Sequence, residues 1–149
     1  WLIALRRAHP ALRPMAFFSG TDPYGDVIAD LSWYSADGSP MRDDIWGSQE
    51  SRVFQMLRSG SPYNGHDALV VFNGTTDDRD VVLSQGRGCP WVQVLDTAWG
   101  SPEDGGISSV FDATRLPASL DRKAPGDTIS LDPFSMHIYL SAVESSPQG

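Results

Sequence analysis

Residues 68–74, Ala68-Leu69-Val70-Val71-Phe72-Asn73-Gly74, carry the reading on which the fold turns. The apolar run is only five residues long and rich in β-formers. A continuous run of that length, bounded by a turn signal, reads as a strand. Asn73-Gly74 is a hairpin signal, because both residues tolerate positive φ. Asp80 to Leu83 then reads as a returning strand. Gln85 to Pro90 reads as another turn. Trp91 to Leu95 alternates, with Trp91, Gln93 and Leu95 on one face and Val92 and Val94 on the other. Ile129 to Leu131 and Met136 to Val143 are expected to be the last strands.

Upstream of this run, Ser51 to Ser59 fits helix or strand spacing about equally. The turn cluster Gly60-Ser61-Pro62-Tyr63-Asn64-Gly65 favours a strand. Val27 to Tyr34 reads as a strand with Leu31 and Trp33 on one face, which gives Trp33 to the core along with Trp91. Asp37-Gly38 follows as a hairpin turn, and Asp43 and Asp44 as caps of a helical turn through Ile45 and Trp46. Residues 1–9 form a short helix with Arg6 and Arg7 near its C-terminal end, where cations suit the helix dipole. Pro10 ends it. About seven short strands separated by turn signals, with little helix after the first ten residues, specify an all-β fold, an antiparallel β-sandwich. The expected division is 1–13 as a helical segment and 14–149 as the β-sandwich domain.

The bulk composition agrees with one globular domain: 149 residues, 40% hydrophobic and 20% charged, with 14 Gly and 11 Pro. Eleven basic against nineteen acidic residues give a net charge of −8. That surface disfavours nucleic acid and anionic membranes as partners and is compatible with a neutral polysaccharide. A membrane-spanning helix needs about 20 apolar residues, and no run here approaches that. The single cysteine, Cys89, precludes an intrachain disulfide and fits cytoplasmic residence. Trp1 to Leu5 reads as helix interior with no capping residue before it, so the chain is expected to be part of a longer protein.

Residues that could carry chemistry are sparse. Asp43-Asp44, Asp77-Asp78 and Glu103-Asp104 are paired acids in turn contexts and read as caps and solvated turns. His9, His66 and His137 lack metal-ligand spacing, and His137 reads as an ordinary half-buried strand histidine. The 96–106 loop places Asp96, Glu103 and Asp104 near one another without EF-hand spacing. Cys89 has no neighbouring histidine. There is no Gly-x-Ser-x-Gly elbow and no phosphate-binding glycine loop. The expectation is therefore no catalytic residue, no metal ligand and no cofactor. Aromatic rings remain: Trp99 in the long loop and Tyr63 beside Asn64-Gly65 are the candidates for carbohydrate binding by stacking.

Several segments resemble the isoamylase-type glycogen debranching enzymes of glycoside hydrolase family 13. Leu2-Ile-Ala-Leu-Arg-Arg-Ala-His-Pro-Ala-Leu-Arg13 is similar to the last helix of the family's barrel and its exit. Phe17-Phe18-Ser19-Gly20 resembles the Phe-Phe-x-Gly that follows. Asp30 to Trp46 resembles the segment most specific to the debranching branch, and Leu69 to Asn73 and Trp91 to Thr97 are similar to later strands. Ile129 to Leu140 resembles the closing strand, with Phe134 where arginine is usual. The resemblance implies that residues 1–13 continue from an upstream catalytic barrel of the same polypeptide. It implies that residues 14–149 are a non-catalytic C-terminal domain, beside a glycogen or other α-glucan substrate. The parent would hydrolyse α-1,6-glucosidic branch links, with its two catalytic carboxyl groups upstream of Trp1. The alternatives are an independent glucan-binding module, an oligomerisation domain, or the equivalent domain of a starch- or trehalose-pathway enzyme.

Overall fold

We describe residues 1–22, 25, 28–48, 52–99, 116 and 121–144 of the chain in a computed structural model. Six strands make the larger sheet, in the spatial order β1 (Leu31–Ser35), β2 (Val53–Arg58), β3 (His66–Asn73), β8 (Ser135–Glu144), β5 (Trp91–Asp96) and β6 (Arg122–Lys123). β4 (Arg79–Val82) and β7 (Thr128–Leu131) make a two-stranded sheet. Every pairing is antiparallel, so the all-β sandwich expected from the sequence is present.

Strand register sorts the large sheet into two apolar faces. Leu57, Leu69 and Tyr139 lie in one row and point inward with Val71 and Trp91. They meet Val81, Leu83, Ile129 and Leu131 from the small sheet. On the outer face Ala68, Val70, Val92 and Leu140 are also buried, covered by Leu5 of α1 (Leu2–Ala8) and Ala11 of the following 3-10 turn (Pro10–Leu12). Two covered faces explain the unbroken run at 68–72, since alternation shows only where one face is wet. Each fully buried aliphatic or aromatic side chain contributes about 1.5–3 kcal/mol.

Buried polar side chains tie the two sheets together. Gln55 is fully buried. Its Nε2 donates to the carbonyls of Ser35 (3.0 Å) and Val82 (2.8 Å), and its Oε1 accepts from the Ser84 N–H at 3.1 Å. Trp91 Nε1 donates to the Ser84 carbonyl at 3.0 Å. Gly86 sits against this ring with φ +49, and a Cβ there would lie 2.7 Å from Trp91 Cζ2. Such bonds satisfy the backbone of β4 and its continuation where no strand pairs with it, and leaving such groups unpaired would cost about 1–3 kcal/mol each.

Several local expectations change. Asn73-Gly74 turns the chain but makes no hairpin: β4 crosses to the other sheet and pairs with β7. The Asn73 side chain is spent holding the neighbouring loops, and that redirects the chain. β5 carries a bulge between Gln93 and Leu95, so Leu95 joins Val92 and Val94 on the outer face, against the simple alternation. Asp43 and Asp44 lie in the first turn of α2 (Asp43–Trp46), whose N-cap is Arg42 and has no side-chain cap bond, so they act on the helix dipole instead of capping it. At Asp37-Gly38 the chain returns only to a single bridge between Tyr34 and Pro40. Gly38 has φ +82, and a Cβ there would lie 2.9 Å from the Val82 carbonyl oxygen. Asp37 accepts from the Ser35 and Ser39 hydroxyls and the Ser39 N–H, which lowers its carboxyl pKa to about 2. Trp33 is half-buried on the outer face beyond the edge of the core, where its ring meets Trp46 and Phe54. Leu116 packs against the outer-face cluster.

Candidate functional site

The two aromatic candidates sit at opposite ends of the large sheet. Tyr63 belongs to a 3-10 turn just before His66, which pairs with Glu144. Its hydroxyl accepts from the Met15 N–H at 3.2 Å, which ties the N-terminal segment to the domain. Trp99 follows Asp96, which pairs with His137, and its N–H donates to the Asp96 carbonyl at 3.1 Å. Those pairing positions, His137 and Glu144, lie seven residues apart along β8, ~23 Å at strand rise. Tyr63 and Trp99 are both half-buried and belong to separate surfaces.

The paired acids divide in the same way. Asp44 pairs with Arg42 at 3.0 Å on the exposed side of α2, far in sequence from Asp77 and Asp78. Glu103 and Asp104 lie outside the described residues. Among the described residues, no group of three or more His, Cys, Asp or Glu side chains could hold a metal ion. Cys89 is half-buried in its turn.

His137 is more deeply placed than the sequence suggests. It is buried, its Nε2 lies 3.1 Å from Asp96 Oδ2, and its Nδ1 lies 3.1 Å from the Tyr139 hydroxyl. One neutral tautomer satisfies both contacts, with Nε2–H donating to Asp96 and the Tyr139 hydroxyl donating to Nδ1. Burial lowers the His137 pKa, opposed by the Asp96 and Asp132 charges and the Asp96 hydrogen bond. Burial likewise raises that of Tyr139.

A second arrangement, which the sequence reading missed, lies at the Trp99 end of the sandwich. The buried Asn73 holds two loops at once. Its Nδ2 donates toward the carbonyls of Asp77 (2.9 Å), Asp132 (2.9 Å) and Leu131 (3.2 Å), and its Oδ1 accepts from the Thr75 N–H and hydroxyl at 3.0 and 2.7 Å. The Phe134 N–H donates to the Thr75 carbonyl at 3.1 Å. Between these loops opens a groove of about 990 Å³, walled by Arg52, Thr76, Asp77, Asp78, Arg79 and Phe134. Phe134 stands at its rim with φ +50 and 71% of its surface exposed. Phe134 also lines a shallower, mainly apolar trough that runs over Phe54, Phe72 and Met136. Phe54 and Phe72 stack at 4.8 Å, and Trp33 and Trp46 extend the aromatic row. The only sequence signal for this site was the pair Asp77-Asp78 in a turn. Nothing in Asp132-Pro133-Phe134 announces a phenylalanine in a left-handed backbone conformation.

No family model matches the chain. It is 34% identical over 100 residues to the isoamylase of Flavobacterium sp, a match that covers 65% of this chain and 13% of that protein. It is 29% identical over 98 residues to the isoamylase of Pseudomonas amyloderamosa, covering 64% and 12%. It is 28% identical over 106 residues to the glycogen operon protein GlgX homolog of Mycobacterium tuberculosis, covering 62% and 15%. The chain thus spans only a small fraction of the length of the curated relatives it matches. With the motifs at 2–13, 17–20 and 30–46 pointing the same way, the chain is related to the isoamylase-type debranching enzymes and is consistent with a C-terminal region of one.

Proposed function

We propose that the chain is a non-catalytic C-terminal β-sandwich domain of a glycogen debranching enzyme. Its full-length parent would hydrolyse α-1,6-glucosidic branch links in glycogen by means of carboxyl groups on an upstream barrel, in the cytoplasm. The observation that carries this reading is that the similarity falls on a segment amounting to 12–15% of much longer isoamylase and GlgX proteins. Residues 1–13 would be the last barrel helix running into the domain. The surface of the N-terminal segment supports that placement: Leu2, Ile3, Met15 and Phe17 are all more than half exposed. Exposed apolar side chains of that size on one segment suit a contact surface.

No catalytic residue is assigned within the 149 residues. The purified chain is expected to release no reducing sugar from glycogen or from a branched limit dextrin, with 3,5-dinitrosalicylate as the assay. Measurable hydrolysis would sink the proposal. Trp99 and Tyr63 remain proposed sugar contacts, now as two separate points. Trp99→Ala and Tyr63→Ala should each weaken glycogen retention in affinity electrophoresis if they take part.

A further inference from the structure

We propose that the groove beside Phe134 is a binding site for a neutral oligosaccharide of pyranose rings, with Phe134 as its stacking platform. Phe134 is doubly unfavourable in the free chain. A bulky residue at φ +50 is strained, and its ring lies in water. The strain is held in place by the Asn73 network and by the Phe134 N–H bond to Thr75, so the ring is fixed before any ligand arrives. A flat exposed ring matches the C–H face of a pyranose.

The other residues lining the groove supply the polar half of such a site. The Arg52 and Arg79 guanidinium groups offer planar donors, Asp77 and Asp78 offer planar acceptors, and Thr76 offers a hydroxyl. Vicinal sugar hydroxyls both donate and accept, so they need this mixture. Two arginines against the three aspartates Asp77, Asp78 and Asp80 leave the lining at net −1 (+2 − 3), which suits neither a polyphosphate nor a polycation. The groove lies near the upper end of the usual ~300–1,000 Å³ range for small-ligand sites. The trough over Phe54, Phe72 and Met136 shares Arg52 and Phe134 with the groove, so the two together accommodate a chain of rings and should favour length. That the oligosaccharide is an α-glucan rests on the debranching-enzyme reading above. The pyranose class rests on the groove alone.

The test is calorimetric titration of the 149-residue chain with maltotriose, maltoheptaose and cellohexaose, in the parent sequence and in Phe134→Ala, Phe134→Gly and Arg52→Ala. Maltoheptaose is expected to bind more tightly than maltotriose. Phe134→Ala and Arg52→Ala should each weaken it roughly tenfold, equivalent to one decade in Kd. Phe134→Gly should lose binding equally while raising the melting temperature by about 2–4 °C, because glycine relieves the strain at φ +50. A merely structural role for Phe134 predicts the opposite coupling, with stability falling alongside binding. Binding of cellohexaose in place of maltoheptaose, still lost in Phe134→Ala, supports the site and overturns the α-glucan reading. Absence of binding by all three sugars, or a Kd unmoved by Phe134→Ala, overturns the site itself.

Discussion

His137 shows how burial and pairing compete at one residue. Asp96 accepts a hydrogen bond from its Nε2–H, yet burial is the larger effect and lowers the histidine's pKa. Asp132 also faces it electrostatically, and Tyr139 contacts its other nitrogen. The unfolded chain therefore takes up a proton at a higher pH than the folded one. The resulting stabilisation is present above about pH 6.5 and is lost as pH falls from there through the lowered folded value. We expect the urea midpoint to drop between pH 7 and pH 5. In His137→Gln, which keeps polar contacts without titrating, that part of the drop should disappear. Equal pH slopes in the two proteins would contradict this account.

At the scale of elements, α1 carries two kinds of leucine on one short helix. Leu5 is buried against Val70, Val92 and Leu140 on the outer sheet face, whereas Leu2 is 54% exposed. Leu5→Ala should lower global stability by about 2–4 kcal/mol, as a large-to-small change in a packed core does. Leu2→Ala should stay within about 0.5 kcal/mol, as surface changes usually do. Denaturant curves for the two variants separate these outcomes, and equal effects would mean that α1 is not an integral part of the fold. The strands themselves were legible wherever burial left a pattern. β3 read correctly because both of its faces are covered, and β2 because the turn cluster after it bounded its length. β5 was half legible, since a bulge resets which side a residue faces without changing the residues that form it. The partner of β4 was invisible, because an Asn-Gly turn specifies a change of direction and not the sheet that the chain then joins. Phe134 was hidden for a similar reason: its N–H is held by Thr75, distant in sequence, and nothing in its own residue type calls for positive φ.

For the whole molecule, the sandwich depends on contacts far apart along the chain. β8 lies between β3 and β5, so the last strand described joins two parts of the large sheet that have no other strand in common. A chain ending after Pro133 should lack cooperative unfolding by circular dichroism, because Leu69, Val92 and Trp91 all lose their pairing partners in β8. A cooperative transition in that truncated chain would refute the dependence. Non-local pairing of this kind slows folding, since loop closure must precede any gain from contact. β8 also gives the domain a schedule. On the ribosome, β1, β2 and β3 can pair as they emerge, but β5 first meets only the two-residue β6, and its long neighbour β8 begins at Ser135. An enzyme joined ahead of this domain would have all its upstream parts translated before its tail could close. The order of assembly would then run from front to back, and β8 would act as the latch.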